Sequence, residues 1–144
     1  MEASRVEPYL PRMENSFNHM VRIMTSATAA YQEVAPGPKI TGSQLIVLRA
    51  LLGRGPLQVT EVANELMVTL SAATGLVDRL VKAHLAVRER DQRDRRVVWV
   101  KITAEGEAAL KAAEERRRAA FREMVKNLSE EDLERLCDIL ERLG

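Results

Sequence analysis

The chain has 144 residues, of which 46% are hydrophobic and 30% charged, and its net charge is +1. These values describe a globular chain long enough for one domain, and they exclude an intrinsically disordered protein. No apolar run approaches the roughly 18 residues of a membrane-spanning helix, and the N-terminus lacks the pattern of a secretory signal, so we expect a cytoplasmic protein with no membrane contact.

The charge is distributed unevenly along the chain. Residues 1–77 carry six basic and six acidic side chains, and residues 104–144 carry eight basic and eleven acidic ones. The intervening residues 78–101 carry eight basic and four acidic side chains. A local positive footprint on an otherwise neutral protein is typical of contact with nucleic acid.

The first predicted element is a long helix from Glu7 to Val34, in which apolar residues recur at alternating steps of three and four. Such a seam is longer than a helix within one domain usually needs. The helix either packs only on the core of its own chain or also meets a partner chain. Two prolines and a glycine within residues 35–39 then end it.

The next helix is predicted to begin at Thr41 or Ser43 and to end near Gly53 or Gly55. Its apolar face consists of Leu45, Leu48, Leu51 and Leu52.

Two short helices follow, with N-caps predicted at Thr60 and Thr69 and a turn at Met67 and Val68. Two short helices joined this closely predict a helix-turn-helix. Their predicted buried residues are Val62, Ala63, Leu66, Ala73, Leu76, Val77 and Leu80.

The segment RDQRDRR, residues 90–96, lies between two stretches with β-branched patterns, LAVRE and VVWVKIT. This arrangement predicts a β-hairpin, or wing, with a charged tip. On its second strand, one face carries Val98, Val100 and Ile102, and the other carries Val97, Trp99 and Lys101.

Two helices complete the chain, one from Ala104 to Asn127 capped by Thr103, and a final one capped by Ser129. Leu133, Leu136, Leu140 and Leu143 form a second a/d seam in the final helix. Cys137 is expected to be a small buried hydrophobe there. The predicted fold is therefore mainly α with a small β-hairpin wing.

This order of elements resembles the MarR family of winged helix-turn-helix transcription regulators. ATGLVDRLVKAHLAVRERDQRDRRVVWVKITAEG is similar to the family's recognition helix and wing, including the T-x-x-G at Thr103–Gly106, and LSEEDLERL is similar to its last helix. The resemblance covers nearly the whole chain, read as one domain over residues 1–144. Met67 and His84 depart from it, because they stand where the family commonly has glycine in a left-handed conformation. A side chain there costs of order 1 kcal/mol where φ is positive.

The resemblance implies that residues 41–103 form a DNA-binding lobe whose recognition helix contacts double-stranded DNA. Hydroxyls can bond base edges or phosphates, and small apolar groups can touch thymine methyl groups. The alternative is an ordinary solvated helix face. No Asn, Gln or Lys stands at the leading end, so DNA shape and phosphate contacts are expected to contribute more than base readout. The expected contact residues are Thr69, Ser71, Ala72, Thr74, Gly75 and Arg79.

The wing tip would reach the adjacent minor groove, whose negative potential attracts arginine. Arg95 is the first choice for insertion, with Arg93 and Arg96 on phosphates or sharing that role. Asp91 and Asp94 would orient the guanidinium groups through paired hydrogen bonds. The alternative is a solvated polar hairpin with no partner.

One winged helix with so few basic residues would bind DNA weakly, because each neutralised phosphate adds only a modest increment. A two-fold dimer doubles the contacts and spaces two recognition helices about 34–36 Å apart, which implies a palindromic operator. Residues 7–34 and 104–144 are the predicted dimerisation helices. The predicted interface residues are Leu10, Met13, Phe17, Leu133, Leu136, Leu140 and Leu143.

Most relatives in that family respond to a small aromatic or phenolic effector between the dimerisation helices and the DNA-binding lobe. Methionine is adaptable and suits such pockets. The alternative for the same residues is core packing. The candidate pocket residues are Phe17, Met20, Met24, Tyr31, Leu45 and Leu48.

Neither catalysis nor a bound metal or cofactor is expected. The sequence has no glycine-rich phosphate loop, no HExxH and no GxSxG, and its two histidines lie in distant elements. The resemblance therefore implies a homodimeric, ligand-responsive repressor that binds DNA. The alternative is a winged-helix protein-interaction adaptor that does not bind DNA, although an adaptor has no need for three clustered arginines at the wing tip.

Overall fold

The computed structural model describes residues 5–34 and 37–144. Over these residues the fold is mainly helical with one two-stranded antiparallel hairpin, as the sequence predicts. After a 3-10 turn at Glu7–Tyr9, the elements in chain order are α1 (Leu10–Val34), α2 (Gly42–Arg54), α3 (Val59–Leu66), α4 (Leu70–Lys82), β1 (Ala86–Arg90), β2 (Val98–Ile102), α5 (Ala104–Val125) and α6 (Glu130–Glu141).

The described chain divides into two compact units. The winged unit consists of Gly37–Glu114, and the helical unit consists of the described residues up to Val34 together with Glu115–Gly144. Helix α5 contributes residues to both. Every described helix is too short or too polar to cross a membrane.

Side-chain caps fix where the helices begin. Thr41 forms a reciprocal pair with Gln44, each side chain accepting from the other residue's backbone N–H at 3.2 and 3.0 Å. This confirms Thr41 rather than Ser43 as the cap of α2 and satisfies two N–H groups that the helix itself leaves unbonded. Thr69 and Ser129 cap α4 and α6 in the predicted way, each accepting the N–H three residues on at 3.2 Å.

The predicted N-cap Thr60 of α3 is wrong, because the cap is Gln58. The backbone N–H of Gln58 donates to the carboxylate of Glu61 at 2.8 Å, which closes the first turn two residues earlier than predicted. Glutamine is not among the strongly preferred capping residues, so its role depends on this glutamate.

Met67 and His84 both have positive φ, 53° and 61°. Each ends a helix in a Schellman motif, with the N–H of Val68 bonded to the carbonyl of Ala63 at 3.0 Å and that of Leu85 bonded to Leu80 at 2.9 Å. The expected departure from glycine at these two left-handed positions is confirmed.

The core of the winged unit lies between α2, α3, α4, the hairpin and the start of α5. The strands pair in one antiparallel register, Ala86 with Ile102 through Arg90 with Val98. Leu57 adds a short bridge on the other side of β2, exchanging backbone hydrogen bonds with Val100 at 3.1 and 2.7 Å. The largest completely buried side chains of this core are Leu48, Leu80, Leu110, Val47, Val62, Val77 and Val100.

Leu52 was predicted on the buried face of α2, and this is wrong, because the residue is half exposed. Leu45, Leu48 and Leu51 form a stripe at steps of three, and Leu52 lies about 100° around the helix from Leu51. Val47 and Ala50 are buried instead.

Gly106 explains the T-x-x-G sequence at the start of α5. A Cβ at this position would lie 2.1 Å from the carbonyl oxygen of Leu85, so only glycine allows the helix to approach this backbone. Thr103 fixes the same approach, because its N–H donates to that carbonyl at 3.1 Å and its hydroxyl donates to the carbonyl of His84 at 2.7 Å. The hydroxyl oxygen of Thr103 also accepts the N–H of Gly106 at 2.9 Å.

Candidate DNA interface

One face of α4 is exposed while the opposite face carries the buried stripe Ala73, Leu76, Val77 and Leu80. Thr69 and Arg79, at opposite ends of the helix, are exposed, and Gly75 is half-buried between them. The remaining predicted contacts Ser71, Ala72 and Thr74 are exposed as well. The amphipathic pattern therefore turns all the predicted recognition residues away from the core.

Two of the three hydroxyls on this face are engaged within the helix. The oxygen of Thr69 accepts the N–H of Ala72 at 3.2 Å, and the hydroxyl of Thr74 donates to the carbonyl of Leu70 at 2.9 Å. Thr74 has therefore used its single donor, whereas Thr69 can still donate. The guanidinium of Arg79 lies beside Gly75, since a Cβ there would be 3.9 Å from its Nη1 atom.

Asp91 organises the wing tip from its second residue. Its Oδ1 accepts the backbone N–H groups of Arg93 and Asp94 at 2.8 and 3.0 Å, and its Oδ2 accepts the indole N–H of Trp99 at 2.9 Å. The Trp99 hydrogen bond, followed by those two backbone donors, holds the pKa of Asp91 below its ordinary value. The prediction that Asp91 orients guanidinium groups is corrected, because among the described residues this carboxylate binds the tip backbone and Trp99 instead.

Asp94 does pair with a guanidinium, as predicted. Its two oxygens accept Nε and Nη2 of Arg96 at 3.1 and 3.2 Å, and Oδ1 also accepts the Arg96 backbone N–H at 3.0 Å. These bonds lower the pKa of Asp94, first through the Arg96 side chain and then through its backbone. The Arg96 side chain nevertheless remains 91% exposed, so the pair leaves it accessible.

The three arginines of the tip therefore differ in their hydrogen bonding. Arg96 is bonded to Asp94, whereas the side chains of Arg93 and Arg95 have no hydrogen bond or ion pair among the described residues, and both are exposed. The backbone that carries them is hydrogen-bonded, because the N–H of Asp94 donates to Asp91 at 3.0 Å and the carbonyl of Arg95 accepts Nη1 of Arg90 at 3.1 Å. A rigid backbone with two unpaired cations is suited to binding phosphate or a narrow minor groove.

Recognition helix and wing are joined by a salt bridge between Asp78 of α4 and Arg88 of β1. Asp78 therefore has a structural role, since the guanidinium of Arg88 beside it compensates its charge.

Trp99 was predicted on one face of the second strand, and no role was predicted for it. It stands opposite Glu89 in the hairpin and lines an open groove of about 480 Å³ together with Pro56, Arg90 and Arg93. A signal was available, because Trp99 and Asp91 stand on opposite sides of a short tip and an indole N–H that is partly buried needs an acceptor.

Comparison with known proteins identifies the family. A model described as MarR family matches residues 39–97. The HTH-type transcriptional repressor MdtR of Bacillus subtilis (strain 168) is 30% identical over 139 residues, which cover 92% of this chain and 90% of MdtR. The chain belongs to the MarR family.

Solved structures agree with this assignment. The YusO protein from Bacillus subtilis matches with a TM-score of 0.72 at 25% identity, over 99% of this chain and 96% of YusO. The PcaV transcriptional regulator from Streptomyces coelicolor, solved in complex with its natural ligand, matches with a TM-score of 0.63 at 22% identity, over 87% of this chain and 89% of PcaV. The second likeness concerns the fold alone. This MarR-family chain is a winged helix-turn-helix transcriptional regulator.

Many of the predicted dimerisation residues of this MarR-family chain are exposed in the helical unit. Leu10, Met13 and Phe17 on α1 and Leu140 and Leu143 near the C-terminus expose large apolar side chains. Leu133 and Leu136 are half-buried. Cys137 is exposed, so its predicted burial is wrong, because no residue of α6 is fully buried within the described chain.

The predicted effector-pocket residues fall into both units. Leu45 and Leu48 are buried in the core of the winged unit. Phe17 and Met20 are exposed and Met24 is half-buried on α1 in the helical unit, and the Tyr31 side chain lies outside the described residues. The pocket stays a prediction.

Arg116 is a buried charge that was not predicted from the sequence. It is 4% exposed in the helical unit. A buried guanidinium is costly unless it is hydrogen-bonded or paired. The spacing in the sequence indicates this burial, because Arg116 recurs at steps of three and four with Ala109, Ala113 and Ala120. All four residues are buried in the structure.

Proposed function

We propose that this protein is a homodimeric repressor that binds a palindromic operator in double-stranded DNA and that a small aromatic or phenolic effector lowers its affinity. The observation that carries the proposal is the wing tip. Two hydrogen-bonded aspartates hold its backbone, and the guanidinium groups of Arg93 and Arg95 remain available beside an exposed recognition helix.

Electrostatics supports nucleic acid as the partner. Residues 78–101 hold the chain's positive excess, and the two tip aspartates are already engaged within the tip. Contacts to phosphates release counterions, so binding through this surface is salt-dependent.

The exposed leucines of the helical unit support a dimer. Leu140 and Leu143 are each more than half exposed in one chain. Burying the exposed part of such a side chain against a second copy is favourable by about 1–2 kcal/mol, a fraction of the value for a fully exposed leucine. A two-fold dimer presents two recognition helices and two wings, which matches a palindromic site.

An effector must bind the DNA-competent and DNA-incompetent arrangements with different affinity, since a ligand with equal affinity for both shifts neither. PcaV, a MarR-fold relative solved with its natural ligand, is the precedent for a ligand site in this fold. Simple phenols and hydroxybenzoates are the first compounds to test, by the change that each produces in DNA affinity.

The deciding experiment is fluorescence anisotropy with the DNA immediately upstream of the protein's own gene, at several salt concentrations. We expect Arg95→Ala to weaken binding by about tenfold and to reduce the salt dependence by about one counterion. Arg122→Ala, which removes an exposed arginine of the helical unit instead, is the matched control and should leave both unchanged.

If the upstream DNA does not bind, a random duplex pool replaces it. Binding to no duplex at any salt concentration would contradict the proposal and favour the protein-interaction adaptor. Binding that is equally tight for Arg95→Ala would move the role to Arg93 and Arg96.

A further inference from the structure

The leading end of the recognition helix exposes an apolar patch. Met67, in the turn between α3 and α4, is 92% exposed, and Leu70, the first residue of α4, is 54% exposed. Val68 between them is also exposed. Single exposed apolar residues are ordinary, but three within four positions at the front of a recognition helix mark a contact surface.

The second feature of the patch is the strained backbone conformation of Met67. Its φ of 53° is left-handed, a conformation that glycine adopts without steric cost and a methionine does not. The Met67 side chain gains no packing within its own chain that would offset this strain, since it is almost fully exposed. His84 carries a similar strain, so the strain points to a contact outside the fold at Met67 because it coincides there with the exposed apolar patch.

Few hydrogen-bond donors lie beside this patch. The Thr74 hydroxyl, one turn after Leu70, is committed to the Leu70 carbonyl, and Ala72 has no polar side chain, which leaves the short hydroxyls of Thr69 and Ser71 to donate. The leading end therefore offers apolar contact beside two hydroxyls. In the major groove of DNA, the prominent apolar group on a base edge is the C5 methyl of thymine.

Charge selects DNA over an apolar protein surface as the occupant. The patch is continuous with the exposed face of α4, and that face ends in Arg79. The salt bridge from Asp78 to Arg88 connects the same helix to the wing and its unpaired Arg93 and Arg95. An apolar patch at one end of a helix whose other end carries cations fits a polyanion that carries isolated methyl groups.

We infer that Met67 and Leu70 read thymine methyl groups in the major groove of the operator. The inference rests on the proposed DNA binding and specifies how a recognition helix without Asn, Gln or Lys at its leading end distinguishes sequences. Thymine positions in each half-site would then contribute to affinity through apolar contact, independent of salt.

The test compares thymine with uracil, which differs only by lacking that methyl group. A bound site is first selected from random 30-base-pair duplexes, and each of its thymines is then replaced singly by deoxyuridine. For the wild type we expect a loss of about fourfold in affinity at one or more positions per half-site, the value of one buried methyl group. Leu70→Ala and Met67→Gly should bind the thymine and uracil duplexes equally at those positions.

Met67→Gly separates recognition from folding, because it relieves the left-handed strain and should raise the unfolding midpoint while it removes the discrimination. His84→Gly is its matched control, since it relieves a similar strain at φ 61° outside the patch. Leu52→Ala is the control for Leu70→Ala, because Leu52 on α2 is exposed to a similar extent, 49%. Both controls should retain the wild-type preference for thymine.

Equal wild-type affinity for thymine and uracil at every position, with binding still salt-dependent, would overturn this inference and leave the proposed function standing. A preference for thymine that survives in both Leu70→Ala and Met67→Gly would overturn the assignment to these residues. Failure to recover any bound duplex would overturn the inference and the proposed function together.

Discussion

Met67 and His84 hold their backbone in a conformation that side chains disfavour, and each does so at the end of a helix. We expect Met67→Gly and His84→Gly each to raise the free energy of unfolding by about 1 kcal/mol, because relief of the left-handed strain outweighs the extra freedom of glycine in the unfolded chain. Urea denaturation at constant protein concentration measures this. A loss of stability in either variant would show that the side chain contributes packing.

Gly106 is the opposite case from Met67 and His84, because glycine is already present there and a side chain would have no room. Gly106→Ala should lower the free energy of unfolding by about 2–3 kcal/mol, because the new methyl group meets the Leu85 carbonyl and Ile102 and forces α5 away. Gly53→Ala is the control, since nothing lies within 4 Å of a Cβ there and alanine favours the helix by about 0.5–1 kcal/mol. Equal stability of the two variants in urea denaturation would contradict this account.

At the scale of the element, the wing depends on the ionised form of Asp91. Because its folded pKa lies below the ordinary 3.8, the carboxylate stabilises the tip at pH values above 3.8, and this contribution is lost as the pH falls through the lower folded pKa. Trp99 is the only tryptophan and bonds directly to Asp91, so its fluorescence reports this step. We expect a change in Trp99 emission below pH 3.8.

Two variants identify the carboxylate whose titration changes the Trp99 fluorescence. Asp91→Asn should abolish the fluorescence step, whereas Asp94→Asn, which removes the carboxylate bonded to Arg96 rather than to Trp99, should retain it. Far-ultraviolet circular dichroism on the same samples distinguishes opening of the wing from unfolding of the helices. A step that persists unchanged in Asp91→Asn would locate the titrating group elsewhere.

The elements themselves were predictable because local chemistry and apolar spacing agree. Thr41, Thr69 and Ser129 cap helices through bonds to residues three positions on, a signal contained in the sequence. Gln58 was missed because its capping depends on Glu61 rather than on its own residue type. The bonds of Asp91 were also missed, because a tip of seven polar residues allows many pairings and the indole of Trp99 is only one of the donors that could reach this carboxylate.

For the whole molecule, we expect sedimentation equilibrium to find a dimer whose dissociation constant Leu140→Glu raises at least tenfold. Leu140 is exposed in one chain, and a charge placed in an apolar interface is costly to desolvate. The same variant should lose DNA affinity, since one winged unit makes half the contacts. Leu52→Glu, a change of the same kind in the winged unit, is the control for self-association.

A wild-type chain that sediments as a monomer at tens of micromolar would contradict this expectation. The sequence predicted the helices that carry the surplus apolar surface, because an a/d seam is visible without a structure. It did not predict the burial of Arg116, since three consecutive arginines are alike in composition and only their phase on the helix distinguishes them.

The ion pair between Asp78 and Arg88 ties together two parts of the winged unit that, under the proposed function, enter different grooves. Thr103 and Gly106 fix the segment between them by closing on the carbonyls of His84 and Leu85. The offset between helix and wing is thus set before any contact is made. Because the protein holds this offset fixed, the operator DNA has to deform to fit both elements. Base steps that neither element touches would then influence affinity through how readily they bend or how readily their minor groove narrows.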